Sequence, residues 1–143
     1  MEDHVKIYFE IPTSDSEEME IETVWAIPYG EGFKLDNIPF YAKGVALDDI
    51  VSANKVDGCL YMDELLTPSG HSTVRLWFAD EKDVQTVREE LKTMGCDSEI
   101  SDQPCLVAVD IPPSVRYEKI REYLDAGEAD GTWAYQEACL GFL

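Results

Sequence analysis

Residues 71–139 have the sequence HSTVRLWFADEKDVQTVREELKTMGCDSEISDQPCLVAVDIPPSVRYEKIREYLDAGEADGTWAYQEAC, and the pattern in this stretch decides the fold. Runs of β-branched and aromatic residues indicate strands, and apolar residues three or four apart indicate helices. The predicted order is strand, helix, strand, strand, helix, strand. The six predicted ranges are 71–79, 80–95, 96–100, 105–111, 114–127 and 132–135.

Local signals place the ends of these segments. Asp80 can cap the first helix, and the apolar run 105–111 is typical of a strand buried on both faces. Gly127 is expected to limit the second helix. The order predicts a ferredoxin-like βαββαβ unit with both helices on one face of a four-stranded antiparallel sheet. An incomplete α+β sandwich with a different number of strands fits the same order.

The N-terminal half consists of short predicted strands separated by glycine-containing turns. This pattern predicts a small β-barrel or a curved antiparallel sheet over residues 1–66. The best boundary is Thr67-Pro68-Ser69-Gly70, which is short. We therefore expect an α+β protein in which subdomains 1–66 and 71–143 pack closely or form one domain.

Charge is the most unusual feature of the composition. The 143 residues include 30 acidic and 11 basic ones, which gives a net charge of −19. Such a surface would repel nucleic acid and attract a basic protein partner. The alternative is that the acidic residues only keep the protein soluble, which would give the same net charge. No apolar run is long enough to span a membrane, and the N-terminus lacks the features of a secretory signal. The four scattered cysteines are expected to be buried free thiols, which favours the cytoplasm. The oligomeric state is left open.

Five strings carry a family resemblance: VWA at 24–26, LDNIPF at 35–40, DIV at 49–51, SGHSTVR at 69–75 and EACLG at 137–141. With these strings the chain resembles a bacterial family of small stand-alone proteins that is classified as a domain of unknown function. The resemblance covers most of the chain and supports its boundaries. It implies no activity, cofactor or ligand.

Reactive side-chain types gather at one place, the SGHSTVR string. Strand alternation puts His71, Thr73 and Arg75 on one face, where His71 could act as a general base and Arg75 could bind an anion. With Asp49 nearby, these residues suggest a small-ligand sensor or an enzyme that uses a cleft between the halves. The alternative is structural: Ser69 and Thr73 satisfy the backbone of the loop, and Arg75 pairs with a carboxylate.

Other catalytic arrangements have less support. Cys139 could pair with His71 if the last strand ran beside the strand after Gly70, but a ferredoxin-like sheet is expected to keep its first and last strands apart. A core thiol is therefore predicted at Cys139. The two histidines and the acidic pairs lack the spacing of a metal site, so neither a metal nor another cofactor is expected.

The leading hypothesis is a non-enzymatic acidic binding protein. In its specific form it is an immunity or inhibitor protein that neutralises a basic toxin such as a nuclease. An exposed aromatic residue surrounded by acids suits a protein interface. The predicted contact residues are Asp15, Glu17, Glu18, Glu20 and Tyr41.

Overall fold

The computed structural model of the protein describes residues 4–12 and 19–142. In this part of the chain, nine strands form two sheets, accompanied by two α-helices and one short 3-10 helix. The predicted α+β class is confirmed. The elements are β1 Val5–Pro12, β2 Met19–Tyr29, β3 Gly32–Leu35, β4 Ile50–Val56, β5 Cys59–Thr67, β6 Ser72–Phe78, the 3-10 helix Glu81–Asp83, α1 Val84–Thr93, β7 Asp97–Ile100, β8 Leu106–Ile111, α2 Tyr117–Ala129 and β9 Trp133–Cys139.

Strands β1 to β5 form a closed barrel in chain order. Each strand runs antiparallel to the next, and closure places β1 parallel to β5, with Ile7 opposite Leu60 and Tyr8 opposite Tyr61. An odd number of successive antiparallel strands leaves the first and last pointing the same way, which explains the parallel pair. Alternate side chains, such as Ile7 and Val24, point inward and form the barrel core.

Strands β6 to β9 form an antiparallel sheet in the order β7-β8-β6-β9. Val74, Leu76 and Phe78 alternate along β6 and join a buried cluster with residues of both helices, so α1 and α2 cover the same face. Every residue of the central strand β8 is buried. The near-continuous apolar run in the sequence reflects this position.

The expectation that the first and last strands of this unit lie apart is wrong. β6 pairs directly with β9, with Thr73 opposite Cys139. The cause is the crossover through α2, which returns the chain to the free edge of β6. As a result, residues near His71 and Cys139 come from neighbouring strands.

The expectation that Gly127 limits the second helix is also wrong. α2 continues through Gly127 to Ala129. A Cβ at Gly127 would overlap the ring of Trp133, so the glycine allows the helix to approach β9 closely. The chain leaves the helix at Gly131, which has a φ of 85°.

All four cysteines are free. Cys96, which follows α1, is fully buried, whereas Cys59, Cys105 and Cys139 are partly buried. Burial raises the pKa of the Cys96 thiol to about 12, which keeps it protonated and unreactive.

Candidate functional site

Arg75 is a buried cation that joins the two halves. It is 3% exposed, and its guanidinium donates to the backbone carbonyls of Tyr41 and Ala42 and to Oε1 of Gln136. Its Nε has no hydrogen-bond partner among the described residues. Burial lowers the pKa of Arg75, and nearby Glu22 acts in the opposite direction. The expected pairing of Arg75 with a carboxylate is wrong, because backbone carbonyls take that place.

Thr73 also connects the halves, and Asp49 ties its own loop to the linker between them. Oγ1 of Thr73 donates to the carbonyl of Val45 at 3.3 Å. The buried Asp49 carboxylate accepts the N–H groups of Ala46 at 2.9 Å and of Ser69 at 2.8 Å. The polar groups of both residues are therefore occupied by contacts within the chain.

His71 differs from these neighbours because its ring is partly exposed. Nδ1 lies 2.8 Å from Oδ1 of Asp110, and Nε2 lies 3.6 Å from Oδ2 of Asp48. Asp110 is buried in β8, and burial raises its pKa, while the hydrogen bond with His71 acts in the opposite direction. A buried carboxylate at one ring nitrogen fixes the orientation of the imidazole.

A cavity of about 450 Å³ lies between the barrel and the second sheet, and we call it the inter-sheet cleft. Its lining includes Asp49, Leu65, Pro68, His71, Glu137 and Cys139. Two of the four residues predicted for a ligand site, Asp49 and His71, line the cleft. The other two, Thr73 and Arg75, are buried outside its lining.

Cys139 lines the cleft with His71, but its environment disfavours a thiolate. Burial raises the pKa of Cys139, and the charge of Asp49 raises it further. A nucleophilic cysteine needs the opposite shift. The geometry therefore offers no support for a thiol–imidazole pair.

Within residues 4–12 and 19–142, no group of three or more His, Cys, Asp or Glu side chains is arranged to hold a metal ion. The helices in those ranges lack the length and apolar character needed to cross a membrane.

A second cavity, of about 530 Å³, opens where β1 and β5 separate. Their pairing stops at Tyr8 and Tyr61, whereas β1 continues to Pro12 and β5 to Thr67. Segment 41–45 closes the base of this gap. We call it the β1–β5 groove and define it by Tyr8, Glu10, Ile11, Tyr41, Tyr61 and Met62.

Glu22 on β2 holds the backbone at the start of segment 41–45 and at the residue just before it. Its carboxylate accepts the N–H groups of Phe40 at 2.6 Å, Tyr41 at 3.0 Å and Ala42 at 2.8 Å. The same segment gives two carbonyls to Arg75 on β6. Two opposite charges from different sheets therefore fix the backbone around Tyr41.

Tyr41 is an exposed aromatic residue among carboxylates. It is 37% exposed and lines the groove. Burial raises the pKa of Tyr41, and the charges of Asp102, Glu22 and Glu20 raise it further. The charge of Arg75 acts in the opposite direction, so three carboxylates and one cation act on this aromatic ring.

The outer face of β2 carries further exposed apolar side chains. Met19, Ile21, Trp25 and Tyr29 alternate along the strand and point away from the barrel core. Trp25 is exposed because its neighbours Val24 and Ala26 fill the inside. The ammonium of Lys6 lies 5.2 Å from the Trp25 ring centre.

The predicted contact residues fall partly outside the described chain. Asp15, Glu17 and Glu18 lie outside the described residues. Glu20 is exposed at the start of β2, and Tyr41 lies in the groove. The charge of Glu20 raises the pKa of Tyr41, after burial and the charges of Asp102 and Glu22.

Residues 22–135 match the profile of a family described as "Domain of unknown function (DUF4265)". The chain belongs to this family. The resemblance inferred from the sequence strings is thus confirmed. The matched region of this DUF4265 protein contains Tyr41, Asp49, His71 and Asp110. It begins after β1 and ends before Cys139.

The DUF4265 chain is also similar to a solved structure. Its fold matches that of a hypothetical protein from Neisseria gonorrhoeae with a TM-score of 0.83 and 25% identity. The match covers 100% of this chain and 98% of the other. No curated protein sequence matches the chain.

Sequence reasoning missed three residues that shape these sites. Asp110 is the one acidic residue in the apolar run 105–111, and a charge in a doubly buried strand is a usable signal. Glu22 and Asp102 carried no such signal. Glu22 accepts hydrogen bonds from backbone 18 to 20 residues away, and Asp102 acts on Tyr41 through its charge.

Proposed function

We propose that this DUF4265 protein is a non-enzymatic binding protein that docks onto a basic protein partner through the β1–β5 groove. In its specific form it is an inhibitor or immunity protein that occludes a cationic toxin such as a nuclease. The observation that carries the proposal is the placement of Tyr41, an exposed aromatic residue at a groove, with its backbone held by Glu22 and Arg75. The charges of three carboxylates act on its phenol.

General properties of protein interfaces support binding at this surface. Binding energy concentrates on a few aromatic anchors that are already held in position, and tyrosine is among the most frequent. A cationic side chain seated between tyrosine rings gains both cation–π attraction and charge pairing. The rings of Tyr8 and Tyr61, 5.4 Å apart, form the far wall of the groove.

The strand edges favour an extended segment of the partner. Beyond Tyr8 and Tyr61, the facing edges of β1 and β5 have no strand pairing with each other in the described part of the chain. Edges of this kind accept an added strand, and backbone hydrogen bonds then supply affinity while pockets supply specificity.

The net charge of −19 gives the whole molecule a preference for a cationic partner. It would speed association with a cationic protein and disfavour nucleic acid or an anionic membrane as partner. We propose a cytoplasmic location on the basis of the free thiols. The oligomeric state is not part of the proposal.

The test uses site-specific photo-crosslinking in extract from the native host. A benzophenone amino acid replaces Tyr41 in one protein and exposed Gln85 on α1 in the matched control. We expect a basic protein that crosslinks from position 41 and not from position 85. Equal crosslinking from both positions, or recovery of acidic proteins only, would overturn the proposal.

The recovered protein is then purified and titrated at about 0.05 M and 0.5 M salt. Tyr41→Ala should weaken binding about tenfold or more, as expected of an interface anchor. Lys43→Glu, which removes a positive charge from the groove lining, should strengthen binding at low salt. Glu89→Lys on α1 is the control and should change affinity little. An affinity insensitive to Tyr41→Ala would count against the groove.

The second candidate function is a small-ligand sensor or enzyme that uses the inter-sheet cleft. The His71–Asp110 hydrogen bond favours it, because a fixed imidazole at a cavity suits proton transfer or ligand binding. A general base contributes roughly 10²–10⁴-fold in rate, so loss of a measured activity on that scale in His71→Ala would support it. A binding protein should retain partner affinity in the same variant.

We also propose a finer description of the architecture. The strand–helix–strand–strand–helix–strand order and the sheet order β7-β8-β6-β9 support a ferredoxin-like unit over residues 71–143. Two separate sheets and two separate buried clusters support a division into subdomains 1–66 and 71–143.

A further inference from the structure

The edge of β1 faces the β1–β5 groove along the end of the strand. β1 contributes every residue from Tyr8 to Pro12 to the groove lining, whereas β5 contributes only Tyr61 and Met62. On one side β1 pairs with β2 as far as Pro12, but on the other side its pairing with β5 ends at Tyr8. No loop or turn of the described chain makes a backbone hydrogen bond to residues 9–12. This edge is therefore open to an added strand.

A bulge in β5 explains why the two strands separate. Met62 lies opposite Ala53 and Leu65 lies opposite Val51, so β5 has one residue more than β4 over this stretch. A bulge bends its strand and is common at barrel rims and next to functional sites. The pairing of β5 with β1 stops at Tyr61, just before the bulge. The bulge thus leaves the edge of β1 uncovered.

The directions of the neighbouring strands favour one orientation of an added strand. β2 runs antiparallel to β1, and β5 runs parallel to it. A strand antiparallel to β1 would therefore be antiparallel to β5 as well. Antiparallel pairing is slightly the more stable kind, so this orientation is preferred against either neighbour.

The alternation along β1 sets the side-chain pattern that an added strand needs. Phe9 belongs to the barrel core, and Ile11 and Met62 pack against the same core. Tyr8 and Glu10 alternate with these residues and point to the outer face. An apolar side chain of the added strand would extend the core beside Ile11, and its sequence neighbour would lie on the outer face beside Glu10.

The charge near this edge favours a basic residue at the outward position. Glu10 is exposed on the edge itself, and Asp63 and Glu64 are exposed in the bulge of β5. Exposed Lys43 in the lining and buried Arg75 at the base of the groove offset part of this charge. Three exposed carboxylates thus stand against one exposed ammonium, and a cationic side chain would be attracted.

We propose that the β1–β5 groove binds one extended segment of its partner as an added strand, antiparallel to β1, in which apolar and basic residues alternate. The apolar residues extend the core beside Ile11 and Met62, and a basic residue pairs with Glu10. Backbone hydrogen bonds to β1 supply affinity, and the alternating side chains supply specificity. This inference rests on the proposed function for the existence of the partner and specifies how that partner docks.

The probe is an end-blocked hexapeptide in which arginine and valine alternate, titrated by NMR into the isotope-labelled protein. The first control has three arginines followed by three valines, which keeps the composition and charge and removes the alternation. The second control is the alternating peptide with every second amide N-methylated, made in both possible sets. The block peptide, and the methylated set that faces β1, should bind about tenfold more weakly or less. Equal binding of all these peptides, or no binding of the alternating peptide at about 1 mM, would overturn the proposal.

Nitroxide labels at the peptide ends test the direction. Because β1 runs toward Pro12, an antiparallel peptide places its N-terminal label beside Ile11 and its C-terminal label beside Tyr8. Each label should broaden the amide signals at its own end of β1. The reverse pattern would show parallel pairing and contradict the proposal.

A charge reversal tests the pairing with Glu10. Glu10→Lys should weaken binding of the alternating peptide by about threefold to tenfold, because an attractive charge becomes a repulsive one. Glu89→Lys on α1 makes the same change of charge outside the groove lining and should alter affinity by less than about twofold. Equal affinities of the two variants would contradict the proposed pairing.

Two results separate this inference from the proposed function. A basic partner that crosslinks from position 41, combined with no binding of the alternating peptide, would refute strand addition and support docking. Specific binding of the alternating peptide, combined with no crosslinked basic partner, would support strand addition and refute the proposed function.

Discussion

Replacing Glu22 by alanine removes the acceptor of three backbone N–H groups at the base of the β1–β5 groove. Two of these groups, on Phe40 and Ala42, are partly buried, and the third, on Tyr41, is exposed. A buried donor left without an acceptor costs about 1–3 kcal/mol, whereas an exposed one can turn to water. Two such losses give a decrease of about 3 kcal/mol in the free energy of unfolding.

The isosteric variant makes the prediction sharper. Oε1 of Glu22 accepts from Tyr41 and Ala42, and Oε2 accepts from Phe40. In Glu22→Gln the amide oxygen can still accept the N–H groups of Tyr41 and Ala42. The amide nitrogen would then face the N–H of Phe40, and two donors cannot form a hydrogen bond. We expect about half the loss seen with alanine.

The assay is equilibrium urea unfolding, with partner affinity measured on the same preparations. Glu20→Ala on the same strand is the control, because this exposed carboxylate accepts none of the segment's N–H groups and should change stability by at most about 0.5 kcal/mol. Glu22→Ala should also weaken partner binding, because Tyr41 loses its support. If Glu22→Ala proved as stable as Glu20→Ala, the account of how the groove is held would be refuted.

Three further predictions concern the second sheet. Gly127→Ala should destabilise the fold by about 1–3 kcal/mol in urea unfolding despite its better helix propensity, because the new Cβ overlaps the buried Trp133 ring. Asp110→Asn should be at least as stable as the parent near neutral pH, because burial raises the pKa of Asp110 and makes its ionised form unfavourable, while an amide oxygen still accepts from His71. That advantage should begin to shrink as the pH falls below the pKa of the folded carboxyl and should be gone below the pKa of the unfolded one, and a pH series of unfolding curves measures it. The Cys96 thiol should stay unlabelled by iodoacetamide at about pH 8 until the protein unfolds, and mass spectrometry of the labelled peptide would reveal any earlier reaction.

Local sequence patterns predicted the individual strands and helices. They did not predict how the strands close into a barrel or pair across a sheet. Alternation and glycine turns located the strands of both halves, because these signals act within a few residues. The parallel pairing of Ile7 and Tyr8 with Leu60 and Tyr61 depends on contacts about fifty residues apart and had no local signal. The adjacency of β6 and β9 was predicted wrongly for the same reason.

The candidate sites were predictable only in part. Alternation correctly put Thr73 and Arg75 on one face, yet it could not show that segment 41–46 covers that face and buries both. The partners of His71 lie 23 and 39 residues away from it. Tyr41 was singled out as an exposed aromatic residue in a turn, whereas the carboxylates around it come from distant elements.

Hydrogen exchange on the complex with the purified native partner tests the central claim most directly. If docking occurs in the β1–β5 groove, the amides of Phe9–Ile11, segment 40–45 and the β5 residues after Tyr61 should exchange more slowly in the complex, and those near His71 should be unchanged. Protection confined to His71 and residues 137–141, with the groove exchanging as in the free protein, would contradict the claim.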